Sequence, residues 1–363
     1  MKKNNYILLL ITAITLAACS TETVERAEGT PQPDTSQPME FLVNGSGADA
    51  DDWQSTRGAM VNTSNLTSQT IALTAVKADD ESAFLSSSLS YSENSWQLPA
   101  KYFWPPYALS FYARHPLTDQ NVQSGGTTQS FTYTTAQTNS RQVDLMYGYT
   151  ASVAKGNTIA INMKHALAAI SFQGKTESAS MTVKIGGIDF CNVLTSATFT
   201  YPTVSTTSGS DDNHVDCFTN KSTAAILSAG VAEAGVSLNN TDYTAISATD
   251  GAMILIPQTA TAWTREAAAT AEGQTGTYLV IHCHLKYNGH DFAGTDTTYG
   301  DIYVPYGGTF EAGKHYTVSL DFGMGYDVDG QTQKVTVGLT AKITPWDTSE
   351  VITPTNPLYP NQN

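Results

Sequence analysis

Short segments in which apolar and polar residues alternate recur along most of the chain. A period of two is the pattern of a β-strand with one buried face, whereas an amphipathic helix has a 3.6-residue period. Gly, Asn, Asp and Ser lie between the segments and supply turns. We therefore predict an all-β protein built of antiparallel sandwiches. The predicted strands are residues 39–43, 71–77, 109–114, 130–134, 158–163, 166–172, 181–190, 197–201, 252–257, 277–287, 300–305, 315–321 and 333–343.

Helical signals are few. Residues 222–234 and 263–271 are candidates for short helices, and the second, alanine-rich stretch is equally compatible with a loop.

The cleanest alternation of apolar and polar residues lies near the C-terminus. Its apolar positions are Val335, Val337, Leu339, Ala341 and Ile343. We predict a terminal strand there, and the prolines that follow make residues 347–363 a poor strand and a Pro-rich tail.

Residues 96–116 are unusually aromatic and hold two of the five tryptophans. After the Pro105-Pro106 break, Leu109, Phe111 and Ala113 alternate with polar or larger residues. Aromatic side chains bury large apolar areas, so we predict that this run anchors a core. The competing interpretation is an exposed platform for a carbohydrate or another ligand.

The composition narrows the functional class. The chain has 363 residues, of which 40% are hydrophobic and only 14% charged, and its net charge is −15. An acidic chain cannot neutralise phosphates, so we do not expect a nucleic-acid partner. The abundance of Ser, Thr, Asn and Gln is typical of an extracellular β-rich protein.

The N-terminus resembles a bacterial lipoprotein signal. Lys2 and Lys3 precede an apolar stretch, residues 6–16, that is too short to span a membrane as a helix. Small residues then lead to Cys19, as they do at the site where signal peptidase cuts before a lipidated cysteine. We predict a signal peptide over residues 1–18, acylation (palmitate-type chains) at Cys19, and a flexible tether over residues 19–38.

Candidate chemistry elsewhere is sparse. Once Cys19 is set aside, Cys191, Cys217 and Cys283 allow one disulfide, or all three are reduced and buried. On a strand, His282 and His284 share one face and could bind zinc with His290 nearby, but we favour plain surface positions. No nucleophile elbow or carboxylate pair stands out. We expect neither an enzyme nor a metal or other cofactor.

Five pieces of sequence, in this order, resemble the fimbrillin family, the Mfa-like fimbrial subunits of anaerobic gut and oral bacteria. They are the residues before Cys19; Thr56-Arg57; Tyr102-Phe103-Trp104-Pro105 with residues 109–113 and Pro116; Asp144-Leu145-Met146 with residues 163–172; and a C-terminal set of Ile256-Pro257-Gln258, Tyr303-Val304-Pro305, residues 310–316 and Pro345-Trp346. The ordered set is specific although each motif is modest, and it spans most of the mature chain.

The resemblance implies two tandem transthyretin-like β-sandwich domains of Greek-key type. We place them at residues 39–175 and 176–346. It also implies a lipoprotein anchored in the outer membrane and then built into a cell-surface fimbria, or pilus. Its partners would be other fimbrial subunits and a ligand on a host or bacterial surface.

Assembly in that family follows cleavage by an arginine-specific protease, which removes the first strand so that another subunit supplies a strand. Cutting after Arg57 would remove both the lipid and the first strand, whereas cutting after Arg26 would remove only the lipid. The run from Val335 to Ile343 either completes its own domain or is the donated strand. Sequence alone does not separate stalk, anchor and tip subunits. The main alternative is a glycan-binding outer-membrane lipoprotein that never polymerises.

Overall fold

The computed structural model describes residues 37–45, 61, 65–118, 122–127, 129–207, 215–248, 251–263, 276–326 and 333–345. The first eleven strands are β1 Phe41–Gly45, β2 Ile71–Lys77, β3 Ala83–Ser92, β4 Ser95–Gln97, β5 Leu109–His115, β6 Val122–Thr127, β7 Ser130–Thr134, β8 Met146–Val153, β9 Ile159–His165, β10 Ala168–Thr176 and β11 Met181–Thr200. The others are β12 Phe218–Ser228, β13 Val236–Ser237, β14 Thr244–Ala245, β15 Met253–Leu255, β16 Gln258–Ala260, β17 Tyr278–Tyr287, β18 His290–Ala293, β19 Gly300–Pro305, β20 Gly308–Phe310, β21 Lys314–Tyr326 and β22 Gln333–Pro345.

The chain is all-β, as predicted. Within the described residues, helical structure is limited to two 3₁₀ turns of three residues, Leu66–Ser68 and Asn139–Arg141. No helix in this part of the chain has both the length and the apolar character needed to cross a membrane.

Seven strands of the N-terminal half close into a barrel in the order β1-β4-β3-β2-β5-β8-β9. The pairs are antiparallel except for β1 and β9, which run parallel. Alternation directs one face of each strand inward: Leu109, Phe111 and Ala113 of β5 are fully buried in the barrel core. Tyr112 points to the other face of β5 and is also buried, which gives this strand two covered faces.

Two large sheets and a two-stranded pair, β16 with β20, form the C-terminal half. In one sheet the order is β14-β10-β21-β22, with β15 also paired to β10. The other has the order β18-β17-β11-β7-β6, with β12 and β13 paired to β11 and β19 paired to β17. Apolar residues of both sheets share one core, in which Phe172, Phe190, Leu279 and Phe322 are buried.

The long strand β11 connects the two halves. Its first part pairs with β17, and its last five residues pair with β7, which lies on the N-terminal side in sequence. A separate aromatic core fills this junction, where the Tyr112 ring lies 4.8 Å from Tyr149 and 5.1 Å from Tyr201. The domain boundary near residue 175 stays a prediction. The strand that contains this residue, Ala168–Thr176, pairs among the described strands with β14, β15 and β21, which all come later in the chain.

The predicted strands are mostly observed, with differences that have physical reasons. Residues 181–190 and 197–200 belong to one strand of 20 residues, because pairing with β12 continues through the register shifts between Phe190 and Val193 and between Ser196 and Thr198. The helix predicted over residues 222–234 is wrong: Phe218–Ser228 pairs with β11, and sheet pairing overrides the helical preference of alanine. Of the candidate helix at 263–271, only Trp263 lies within the described residues.

Candidate functional site

The first strand lies in a slot of the barrel between β9 and β4. All five residues of β1 pair in parallel with β9, from Phe41 opposite Ile159 to Gly45 opposite Met163. On its other edge β1 pairs with β4 at a single position, Phe41 opposite Trp96. The sequence places the predicted strand at residues 39–43, two residues earlier than observed.

Three alternating side chains of this segment point into the barrel core. Met39 and Phe41 are partly buried there, and Val43 is 7% exposed. The Phe41 ring meets Phe111 edge-on at 6.1 Å, and Phe111 meets Trp104 at 6.2 Å. The aromatic residues therefore form the floor of the slot beneath β1.

The chain that leads into β1 is also hydrogen-bonded. The backbone N–H of Met39 donates to the Tyr102 carbonyl at 2.9 Å, and the N–H of Trp104 donates to the Gln37 carbonyl at 3.0 Å. On the opposite side, the N–H of Ile159 donates to the Glu40 carbonyl at 2.8 Å. The slot thus offers hydrogen-bonding backbone on both of its walls.

The next described residue after β1 is Val61, which is 4% exposed. Its N–H donates to Oδ2 of Asp144 at 2.9 Å, and Nδ1 of His165 lies 2.9 Å from the same oxygen. Asp144 and His165 are both fully buried. Both residues belong to the sequence motif that suggested the family, but the sequence does not reveal that they meet, or that they hold Val61.

Cys19, Arg26 and Arg57 all lie outside the described residues. Lipidation and cleavage therefore stay predictions. The structure describes the chain on both sides of Arg57, since β1 ends at Gly45 and Val61 follows.

The C-terminal run lies in β22. Each of its 13 residues pairs with β21, from Gln333 opposite Tyr326 to Pro345 opposite Lys314. Leu339 is buried, and the other apolar positions of the run are partly buried against the core. They are Val335, Val337, Ala341 and Ile343. Among the described strands, β21 is the single neighbour of β22, so β22 forms an edge of its sheet.

The aromatic run belongs to the core, as predicted. Trp104 is 1% exposed and Trp96 is 7% exposed, and both pack in the barrel. Neither indole offers a free face to a sugar. The interpretation of this run as an exposed ligand platform is wrong, because the barrel closes over it.

The three described cysteines are free and buried. They lie in three different apolar clusters, which excludes a disulfide between any two of them here. Burial raises the pKa of Cys191 and of Cys217 to about 11, and that of Cys283 to about 12. These thiols behave as small apolar side chains.

The histidines of β17 are paired with carboxylates. His282 lies 3.1 Å from Asp189 and 2.7 Å from Asp301, while His284 lies 2.9 Å from Asp291. The hydrogen bond with Asp189 is the largest cause that raises the pKa of His282 to about 9; burial opposes it and Asp301 reinforces it. Within the described residues, no group of three or more His, Cys, Asp or Glu side chains is arranged to hold a metal ion.

Comparison with one solved structure supports this fold. Among solved structures, a fimbrial protein from Bacteroides vulgatus is 14% identical, with a TM-score of 0.56, and the match covers 85% of this chain and 99% of that chain. A candidate cell adhesion protein from Bacteroides uniformis is 15% identical, with a TM-score of 0.46 over 85% of this chain and 99% of that chain. A search of curated protein sequences gave no match. The fimbrillin-like family model matches residues 56–346, which is most of the sequence, and the chain therefore belongs to the fimbrillin-like family.

Proposed function

We propose that this chain is a structural subunit of a surface fimbria, with an adhesive role, and that it is assembled by strand exchange into the slot of β1. The observation that carries the proposal is the placement of β1. This short strand fills a slot with backbone on both walls, and its covalent link to the rest of the chain runs through residues 46–60, which contain Arg57. A cut there leaves β1 held by non-covalent contacts alone.

The route to assembly begins at the membrane. The precursor is lipidated at Cys19 and anchored in the outer membrane, and residues 19–38 hold the two tandem transthyretin-like domains away from it. Cleavage after Arg57 releases the lipid together with β1, whereas cleavage after Arg26 would leave β1 in place. The emptied slot then accepts a strand of another subunit, which is β-strand addition.

The candidate donor is β22. It carries the same alternation as the segment that it would replace, with Val335, Val337 and Leu339 in the place of Met39, Phe41 and Val43. As an edge strand it can leave its sheet without dividing the sheet in two.

The test is to treat the purified full chain with an arginine-specific protease and to run it unboiled on a denaturing gel. We expect a ladder of oligomers from the unmodified chain, and a single band from Arg57→Lys, which keeps the positive charge but removes the cleavage site. An Arg26→Lys variant serves as the matched control and should still give the ladder.

A chain that is cut after Arg57 and yet stays monomeric would contradict the proposal that this subunit polymerises. In that case the remaining interpretation is the glycan-binding lipoprotein that does not assemble. No described aromatic platform favours it, because Trp96 and Trp104 are buried.

A further inference from the structure

The pair formed by Asp144 and His165 lies at the end of the barrel where β1 stops. His165 is the last residue of β9 and pairs with Met146, the first residue of β8. Gly45, the last residue of β1, pairs with Met163, two residues before His165. The end of β1 and the buried Asp144–His165 pair therefore lie close together.

Asp144 is shielded from water and has its hydrogen bonds satisfied locally. Its carboxyl accepts the backbone N–H of Val61 at 2.9 Å, and Nδ1 of His165 lies 2.9 and 3.1 Å from the two carboxyl oxygens. A buried carboxyl group needs such hydrogen-bond donors, because no water molecule can reach it to donate instead. The Val61 side chain packs in the barrel core with Leu66. Val61 is thus held by its backbone and by its side chain.

The contacts of β1 are of a different kind: strand pairing with β9 and β4, and inward side chains that share the barrel core with Val61. The strand is held by backbone pairing with β9 and at one position with β4, by an exposed side-chain hydrogen bond between Asn44 and Asn162 at 3.2 Å, and by its inward side chains. Its departure breaks none of the hydrogen bonds that Asp144 makes.

We propose that Asp144, oriented by His165, is a positioning residue that keeps the chain from Val61 onward inside the barrel when β1 leaves. This inference rests on the proposed function, in which the cut after Arg57 leaves residues 58–60 ahead of Val61. With Val61 held by Asp144, the departure of β1 opens the slot and leaves the neighbouring core in place. Val61 stays in the core, and β2 stays paired with β3 and β5 until a strand of another subunit enters the slot.

The first test measures amide hydrogen exchange in the intact, uncut chain. Asp144→Ala removes the acceptor, and we expect the Val61 amide to exchange about tenfold to a hundredfold faster, the range that follows from losing one buried hydrogen bond. Exchange in β17 should be unchanged. The matched control is Asp216→Ala, because Asp216 also accepts a backbone N–H, that of Phe218 at 3.0 Å, but its side chain is 45% exposed.

Two outcomes of this test would overturn the proposal. One is a folded Asp144→Ala chain whose Val61 amide exchanges as in the unmodified chain. The other is faster exchange of the same size in β17, which means a general loss of stability. The orienting role of His165 has its own readout: His165→Gln retains a donor and should exchange within about threefold of the unmodified chain, whereas His165→Ala should not.

The second test needs no variant, so it stands even if Asp144→Ala fails to fold. The unmodified chain is cut with the arginine-specific protease, and exchange is measured again. We expect the Val61 amide to stay protected after the peptide that contains β1 has gone. Protection that disappears together with β1 would refute the anchor. If the protease does not cut after Arg57, the proposed function fails at that step, while the comparison in the uncut chain still decides the role of Asp144.

Discussion

The two strands that lie nearest the chain ends are held in opposite ways. The first, β1, has five residues and neighbours on both edges, but it meets β4 at one position only. The last, β22, has 13 residues and pairs along its full length with β21, its one neighbour among the described strands. One is short and enclosed, and the other is long and lies at an edge.

This difference indicates that β1 suits the role of the strand that is displaced, and β22 the role of the strand that is donated. Burial of an apolar side chain contributes about 1.5–3 kcal/mol when it is complete. Of the three inward side chains of the β1 segment, Val43 alone is buried, so this strand is held weakly once its covalent link is cut. A strand in the slot has backbone on both sides, whereas β22 at its own edge has backbone on one side. Moving from an edge into the slot therefore gives a strand hydrogen bonds on a second side, of the kind that join Met39 to Tyr102 and Gln37 to Trp104.

The largest expected effect comes from locking β22 in place. Thr317 and Lys342 are directly opposite each other on β21 and β22, and opposite residues lie within the Cα separation that a disulfide bridges. We expect the oxidised Thr317→Cys/Lys342→Cys chain, once cut after Arg57, to give no ladder on an unboiled gel.

Reduction of that disulfide should restore the ladder, and this is the control for the lock. An oxidised chain that still forms the ladder would show that β22 only completes its own sheet. The donor would then have to be another segment, and the comparison between the two terminal strands would lose its functional meaning.

The next largest effect concerns the floor of the slot. Trp104 lies edge-on to Phe111, which in turn contacts Phe41 of β1, and it is 1% exposed. Trp104→Ala leaves a large cavity, and we expect it to lower the free energy of unfolding by about 3–5 kcal/mol in urea titrations of the intact chain. Tyr303→Ala, at a ring that is 39% exposed, should cost less than about 1 kcal/mol. Equal losses for both variants would mean that the run is not a core element.

A smaller effect measures how firmly β1 itself is held. Val43→Ala removes two buried methyl groups and should cost about 1.5–2 kcal/mol in the uncut chain. Its neighbour Leu42 points outward and is 50% exposed, so Leu42→Ala should change the unfolding free energy by no more than about 0.5 kcal/mol. After cleavage, the Val43→Ala chain should release the β1 peptide faster, as followed by size-exclusion chromatography. Identical release from both variants would contradict the importance of the inward face.

Both terminal strands are predictable from the sequence. A strand with one buried face has apolar residues at every second position, and this pattern is visible in both of them. Residues 71–77, 130–134 and 300–305 are observed with the predicted bounds. The sequence does not predict β8, since five of its eight residues in succession are buried and Met146–Val153 has no alternation at its start. The helix prediction fails at β12 because its residues adopt the strand form by pairing with β11, and the local sequence carries no information about that partner.

The candidate site was predictable only in part, for the same reason. The alternation of Met39, Phe41 and Val43 marks a strand, but the parallel pairing with β9 depends on residues that lie 118 positions later. Asp144 and His165 could be noted as a motif, yet a buried carboxyl that holds Val61 follows from the closed barrel and not from spacing.

The smallest expected effect is a dependence of the unfolding free energy on pH that arises in the C-terminal half and not in the barrel. Bonds to Asp189 and Asp301 raise the pKa of His282 to about 9 from the ordinary 6.5, so this histidine stabilises the C-terminal half fully below pH 6.5, and the stabilisation is lost as the pH rises through about 9. The side chain is one-third exposed and solvent screens such pairs, so we expect a loss below about 1 kcal/mol. His282→Gln should flatten the difference between urea titrations at pH 6 and pH 10. Release of the β1 peptide from the cut chain should not follow this titration, because the described strand pairings of β1 are with the barrel strands β4 and β9. A release rate that tracks the His282 titration would show that the two halves are coupled.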